Sequence, residues 1–143
     1  MPLVFRESFT SADVRGDRSA LFIFRDTEQR RGVRDDVRGE VNAHGIRVQR
    51  APSTESWALW TDDDFDRVVP IIRADLEKPY LWLSAGGQVV FPLFSMVETC
   101  FGRVPLRDSA PAIYTYMAKK IELLGLICED IQKDQASLRA LYH

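Results

Sequence analysis

Ala20-Leu21-Phe22-Ile23-Phe24-Arg25-Asp26-Thr27 is the stretch that decides the fold. Five consecutive apolar residues, rich in strand formers, lie between Asp17-Arg18-Ser19 and Arg25-Asp26-Thr27. That pattern is a strand buried on both faces. Gln88-Val89-Val90-Phe91-Pro92 repeats it, and its closing proline suits a strand end. Between the two, Asn42 and Gly45 mark a turn inside Val41 to Gln49, and Ile46 and Val48 alternate as a short strand. Trp57-Ala58-Leu59-Trp60 reads as another strand or an apolar loop.

Helical patterns fill the gaps. Thr61-Asp62-Asp63-Asp64 opens a helix, with Thr61 as N-cap and acids that suit the positive end of the helix dipole. Phe65, Val68, Val69, Ile72 and Leu76 follow at helical spacing. Pro70 is expected to bend this helix, and Pro79 to break it before Tyr80-Leu81-Trp82-Leu83. Gly86-Gly87 is a stop. Pro111 starts a helix carrying Ile113, Met117, Ile121 and Leu124 on one face. Gly125 is expected to end it, and a separate helix to run from Cys128 to Tyr142.

Strands separated by helices predict an α/β fold: a three-layer, mostly parallel sheet in one domain (1–126), with a helical extension (127–143). Ligands of such sheets bind beyond the carboxyl ends of the strands. Here those ends are Arg25-Asp26-Thr27 and Leu93-Phe94-Ser95.

Composition excludes several classes. With 143 residues, 45% hydrophobic and 28% charged, the chain is long and apolar enough for one folded core. A net charge of −2 leaves no global basic excess for nucleic acid. No apolar run approaches the roughly 18 residues of a membrane span, and Glu7 precedes any signal-peptide core. Cys100 and Cys128 form no metal or redox spacing and read as thiols of a reducing, cytoplasmic compartment. No metal or cofactor is expected. The three aspartates at 62–64 are explained by capping.

Charge is locally concentrated. Arginines stand at 25, 30, 31, 34, 38, 47 and 50, with Arg15 and Arg18 just upstream, interleaved with Asp26, Glu28, Asp35, Asp36 and Glu40. Such a segment is a salt-bridged loop or an arginine-lined mouth for an anion.

The order of motifs Phe5-Arg6-Glu7-Ser8-Phe9-Thr10-Ser11, Leu21 to Thr27, Arg38-Gly39-Glu40-Val41-Asn42-Ala43-His44-Gly45-Ile46 and Arg50-Ala51-Pro52-Ser53 resembles an uncharacterised family of small phage and bacterial domains. Gly86-Gly87 and Leu106 to Tyr116 continue the likeness, which covers about residues 4–122. The resemblance implies a macro-domain-like arrangement and a nucleotide of the ADP-ribose type. In that setting glycine loops would present backbone amides to phosphate. This chain departs from the pattern there. Arg25-Asp26-Thr27 replaces a glycine-aspartate-asparagine, and Ser95 to Gly102 retains one glycine.

Three functions compete. The leading one is a non-catalytic interaction module, a phage protein acting on a host or sibling protein or self-associating, with Trp57, Trp60, Phe94, Met96 and Phe101 as anchors. The second is a binder that sequesters an ADP-ribose-type signal, as in anti-defence. Its ligands would be Arg25, Asp26, Thr27, Arg34, Asn42, His44, Gly45, Ser95, Thr99, Gly102 and Arg103. The third is an enzyme on ADP-ribose linkages using Asp26, Asn42, His44, Glu98 or Cys100, but no spacing here demands catalysis and no catalytic residue is assigned.

Overall fold

A computed structural model describes the backbone of residues 3–53, 55–92 and 106–142, with side chains as far as residue 126. Its centre is β2 (Ala20–Thr27), with seven of eight residues buried. β2 is covered on both faces, so it reads as a continuous apolar run rather than an alternation. Leu21 and Ile23 join one core; Phe22 and Phe24 join the other.

Four strands make one sheet, β1 (Leu3–Arg6), β4 (Gln88–Pro92), β2 and β3 (Ala43–Gln49) in that spatial order. All three pairings are parallel. The register sets Val89 beside both Leu3 and Leu21, and Phe22 beside Ala43. The α/β architecture with a parallel sheet is thus as expected.

The larger core lies between one sheet face and two helices, α2 (Phe65–Ser84) and α4 (Pro111–Tyr142). It holds Leu21, Ile23, Ile46, Val89 and Phe91 from the sheet, Ile72 and Leu76 from α2, and Ile113 and Met117 from α4. The opposite face is covered by Phe9, by α1 (Ser11–Gly16) through Val14, and by the loop 28–42 through Val37. Thr10 caps α1: the Asp13 amide donates to Thr10 Oγ1 at 3.1 Å, and the Thr10 amide to Asp13 Oδ2 at 2.8 Å. A four-residue helix, α3 (Leu106–Ser109), precedes α4.

Two expectations about helices are corrected. Pro79 does not break α2, which runs through both prolines to Ser84. A proline at 79 cannot donate to the carbonyl of Asp75, four residues back. His44 Nε2 lies 2.7 Å from that carbonyl and donates to it instead, so the missing bond is replaced from β3. Nor does Gly125 end α4, which is one helix of 32 residues. A helical glycine costs only about 1 kcal/mol, and here a methyl at Gly125 would sit 3.6 Å from Leu3 Cδ2, so the helix passes close over β1.

Two of the acids at 62–64 have local work. The Thr61 amide donates to Asp64 at 3.0 Å, and Asp62 accepts the Ala112 amide at 2.9 Å, satisfying the first turn of α4 from outside. Among the described residues no acidic, histidine or cysteine group is arranged to hold a metal, and no helix is long and apolar enough to cross a membrane.

Candidate functional site

Two arrangements meet at the carboxyl end of the sheet. The first is internal. Asp26, the penultimate residue of β2, is fully buried and accepts four bonds: from the Thr27 amide at 2.8 Å, Arg30 at 2.9 Å, and both terminal nitrogens of Arg38 at 2.8 and 2.9 Å. Burial pushes its carboxyl upward, but bonds from Arg38, Arg30 and the Thr27 amide outweigh it. The group sits below the usual carboxylate range. Arg30 also reaches Asp75 of α2 at 2.7 Å and the Gly45 carbonyl at 2.7 Å. Asp75 in turn accepts the Arg47 amide at 2.9 Å and the Arg47 guanidinium at 2.8 and 3.0 Å. β3 is an edge strand, and these side chains take up two of its backbone groups, the Gly45 carbonyl and the Arg47 amide.

Gly45 is required by this packing. A Cβ there would lie 2.6 Å from Asp26 Oδ2 and 2.9 Å from Phe24 Cε2.

The second arrangement is a cleft of about 300 Å³ beyond the ends of β1, β2 and β4. Arg6, Arg25 and Arg34 stand on it, together with Glu7; its apolar lining includes Phe9, Phe24 and Val33. The Arg34 guanidinium lies over the Phe9 ring, 4.3 Å from its centroid. In its own plane Arg34 donates to Asp36 from Nε at 3.0 Å and Nη2 at 3.2 Å. Arg34 has φ of 47° and Arg30 of 55°, left-handed positions costing a non-glycine residue about 1–2 kcal/mol each. The Arg34 carbonyl accepts from the amides of Val37 and Arg38, both at 3.0 Å, which fixes the turn.

The sequence-predicted residues divide between these places. Arg25 and Arg34 meet at the cleft, as a ligand-binding reading requires. Asp26, Thr27 and Asn42 are fully buried. Asn42 is a staple: its amide donates to the carbonyls of Val14, Asp17 and Ala20, and its oxygen accepts from Arg18. His44 is tied to α2, and burial holds its pKa below the ordinary imidazole value. Gly45 lies against Asp26. None of these five reaches the cleft lining.

Of the interface anchors, Trp57 is 58% exposed, whereas Trp60 is a core residue whose indole donates to Glu28 at 3.1 Å. That corrects its assignment to a surface: it is one of the buried side chains of the larger core. Phe94, Ser95, Met96, Glu98, Thr99, Cys100, Phe101, Gly102 and Arg103 lie outside the described residues, as does the Cys128 side chain.

Arg6 and Phe9 were not foreseen as site residues, because they arrive from the end of β1 and the segment after it, remote in sequence from the arginine-rich loop. Asp75 also escaped notice. Its signal was an acid on the buried stripe Val68, Ile72, Asp75, Leu76 of α2.

Comparison with curated proteins and with solved structures gives no significant match. A family model does match, over residues 4–120, which takes in all four strands and the first third of α4. The chain belongs to that family, DUF7831, described as a family of unknown function.

Proposed function

We propose that the protein is a non-catalytic binding module whose cleft at the carboxyl end of the sheet takes an anionic ligand. One observation carries this reading. Arg6, Arg25 and Arg34, from three separate segments, converge on one cleft with an apolar floor, and Arg34 is held there in a strained backbone conformation. Strain of that kind persists where the surrounding structure over-determines it, and clusters at binding sites. The position suits the general rule for parallel sheets. The volume is at the small end of the range of about 300–1,000 Å³ for ligand pockets. Asp26, Asn42 and His44, the acid, amide and imidazole proposed for an enzyme, are committed to internal bonds, which favours binding over catalysis.

The test is a two-dimensional NMR titration of the whole chain with acetate, benzoate, phosphate, pyrophosphate and ADP-ribose. Saturable shifts at Ser8, Phe9, Arg25 and Arg34, weakened in Arg25→Ala, support the proposal. Absence of saturable shifts with every anion at 10-millimolar scale, roughly the weak limit of useful affinity, overturns it.

A second reading keeps the protein as an interaction module acting on a host or sibling protein. Exposed apolar side chains favour it: Trp57 after β3, and Tyr80 and Leu123 flanking a groove between α2 and α4. Its test is whether Trp57→Asp or Leu123→Asp abolishes a partner recovered reproducibly with the wild type. Recovery equal in both variants removes these residues from the interface.

A further inference from the structure

The second half of α4 is longer than the domain needs. At Gly125 the helix has reached Leu3, the first residue of β1, and β1 is the last strand on that side of the sheet. The helical backbone nevertheless continues to Tyr142, about 25 Å further at 1.5 Å per residue. A helix in water is held mainly by packing of an apolar face, and less by intrinsic propensity.

α2 and α4 start side by side, where Asp62 meets the Ala112 amide and Phe65 meets the Tyr116 ring. Further along, Arg73, Leu76 and Tyr80 of α2 and Lys120 and Leu123 of α4 line a groove of about 260 Å³. Tyr80 and Leu123 are 44% and 47% exposed there. Among the described residues neither Arg73 nor Lys120 has a carboxylate partner.

From this groove a stripe of α4 runs on through positions 120, 123, 127, 131 and 134. Intervals of three, four, four and three keep to one face of a helix. The residues are Lys120, Leu123, Ile127, Ile131 and Asp134. Reversed about Ile127, this order is its own complement: a base at one end answers an acid at the other, with apolar residues between. Self-complementarity about a twofold axis defines an isologous contact between identical chains. It selects a second copy as the occupant, because an unrelated partner has no use for that symmetry.

We propose that the protein pairs with a second copy of itself through antiparallel α4 helices related by a twofold axis at Ile127. This register sets position 120 of one copy opposite 134 of the other, and 123 opposite 131. It lays the second half of each α4 along the other copy's groove, and brings Asp134 to the end where Arg73 and Lys120 stand unpaired. The pairing uses neither the cleft nor its arginines, so it is independent of the anion-binding reading.

The experiment is analytical ultracentrifugation of the whole chain from about 5 to 500 micromolar, a range that brackets weak self-association. The wild type is compared with Leu123→Asp, Lys120→Asp and the double reversal Lys120→Asp/Asp134→Lys. The wild type should show a concentration-dependent monomer–dimer equilibrium, and Leu123→Asp should remain monomeric. Lys120→Asp sets acid against acid at both ends of the symmetric contact and should weaken the dimer at least about tenfold. The double reversal should return it to within about threefold of wild type, because the two positions couple only if they meet. That rescue also separates a lost contact from a misfolded variant. A wild type that is monomeric throughout, a dimer indifferent to Leu123→Asp, or a double reversal no tighter than Lys120→Asp alone overturns the proposal.

Discussion

Asp26→Asn is the most informative single change, because it alters one atom of a carboxyl group that four donors address. The asparagine oxygen can still accept, but its NH₂ now faces a guanidinium donor. Arg38 Nη1 and Arg30 Nη1 both lie 2.9 Å from Oδ2, and Arg38 Nη2 lies 2.8 Å from Oδ1. Breaking a buried ion pair from one side costs about 3–5 kcal/mol. Here Arg38 and Arg30 are 25% and 37% exposed, so water relieves part of their loss. The expected destabilisation is therefore about 2–3 kcal/mol at pH 7, below the fully buried case. At this chain length that is a fall of roughly 6–10 °C in Tm. Urea unfolding at pH 7 and at pH 3.5 gives the decisive comparison. The folded-state pKa of Asp26 is depressed, so its contribution is present above the unfolded value near 4 and is lost as pH falls through the folded value. The gap between wild type and Asp26→Asn must narrow on acidification. A variant within about 0.5 kcal/mol of wild type at pH 7, the noise expected of a surface change, refutes the claim that this carboxylate organises the end of the sheet.

Gly45→Ala puts a methyl 2.6 Å from the same carboxylate, and should cost about 2–4 kcal/mol by overpacking and a broken charge-assisted bond, read by urea denaturation. His44 carries a depressed folded pKa, so the unfolded chain binds the proton first. Stability should fall as pH drops below the unfolded value of about 6.5, and His44→Gln should flatten the dependence between pH 5 and 7 that a denaturation series measures. Arg38→Gln loosens the loop without touching the cleft lining, and should weaken anion binding several-fold in the NMR titration while unfolding remains cooperative. Trp60→Ala empties a fully buried site and should cost about 3–5 kcal/mol in thermal or urea unfolding, whereas Trp57→Ala should stay within about 0.5 kcal/mol.

β2 and β4 were legible because burial on both faces writes itself as an unbroken apolar run; β3 was legible only in its second half, at Ile46 and Val48, because Gly45, read as part of a turn, lies inside the strand against Asp26 and Phe24. β1 has four residues, two of them exposed, which leaves no pattern to find. α1 buries only Val14, and its Thr10–Asp13 capping pair was the one local sign. α2 was hidden at Pro79 for a different reason. Local rules predict a break, and the bond that repairs it comes from His44, 35 residues earlier in the chain. The arginines of the candidate site were visible as a cluster, but sequence could not sort them into those bonded inward and those facing the cleft. That sorting depends on where Asp26 and Asp75 lie in space.

Arg30, Arg34 and Arg38 show how the sorting is achieved. They stand four residues apart on a loop with no helix, so their spacing does not stack them on one face. The first and last both bond Asp26, so the loop is an arch with two feet on one carboxylate. Arg34 is at the crown, turned outward by its left-handed backbone and laid on Phe9. A buried charge that is expensive to desolvate would be a poor choice if cohesion were the sole requirement, since apolar residues of similar volume often hold a core as well. Its advantage is direction. Hydrogen bonds to a fixed carboxylate set where both feet stand, and thereby where the crown points, which packing of aliphatic side chains does less sharply. The interior network and the cleft are on this account one device: the acids inside position the arginine outside.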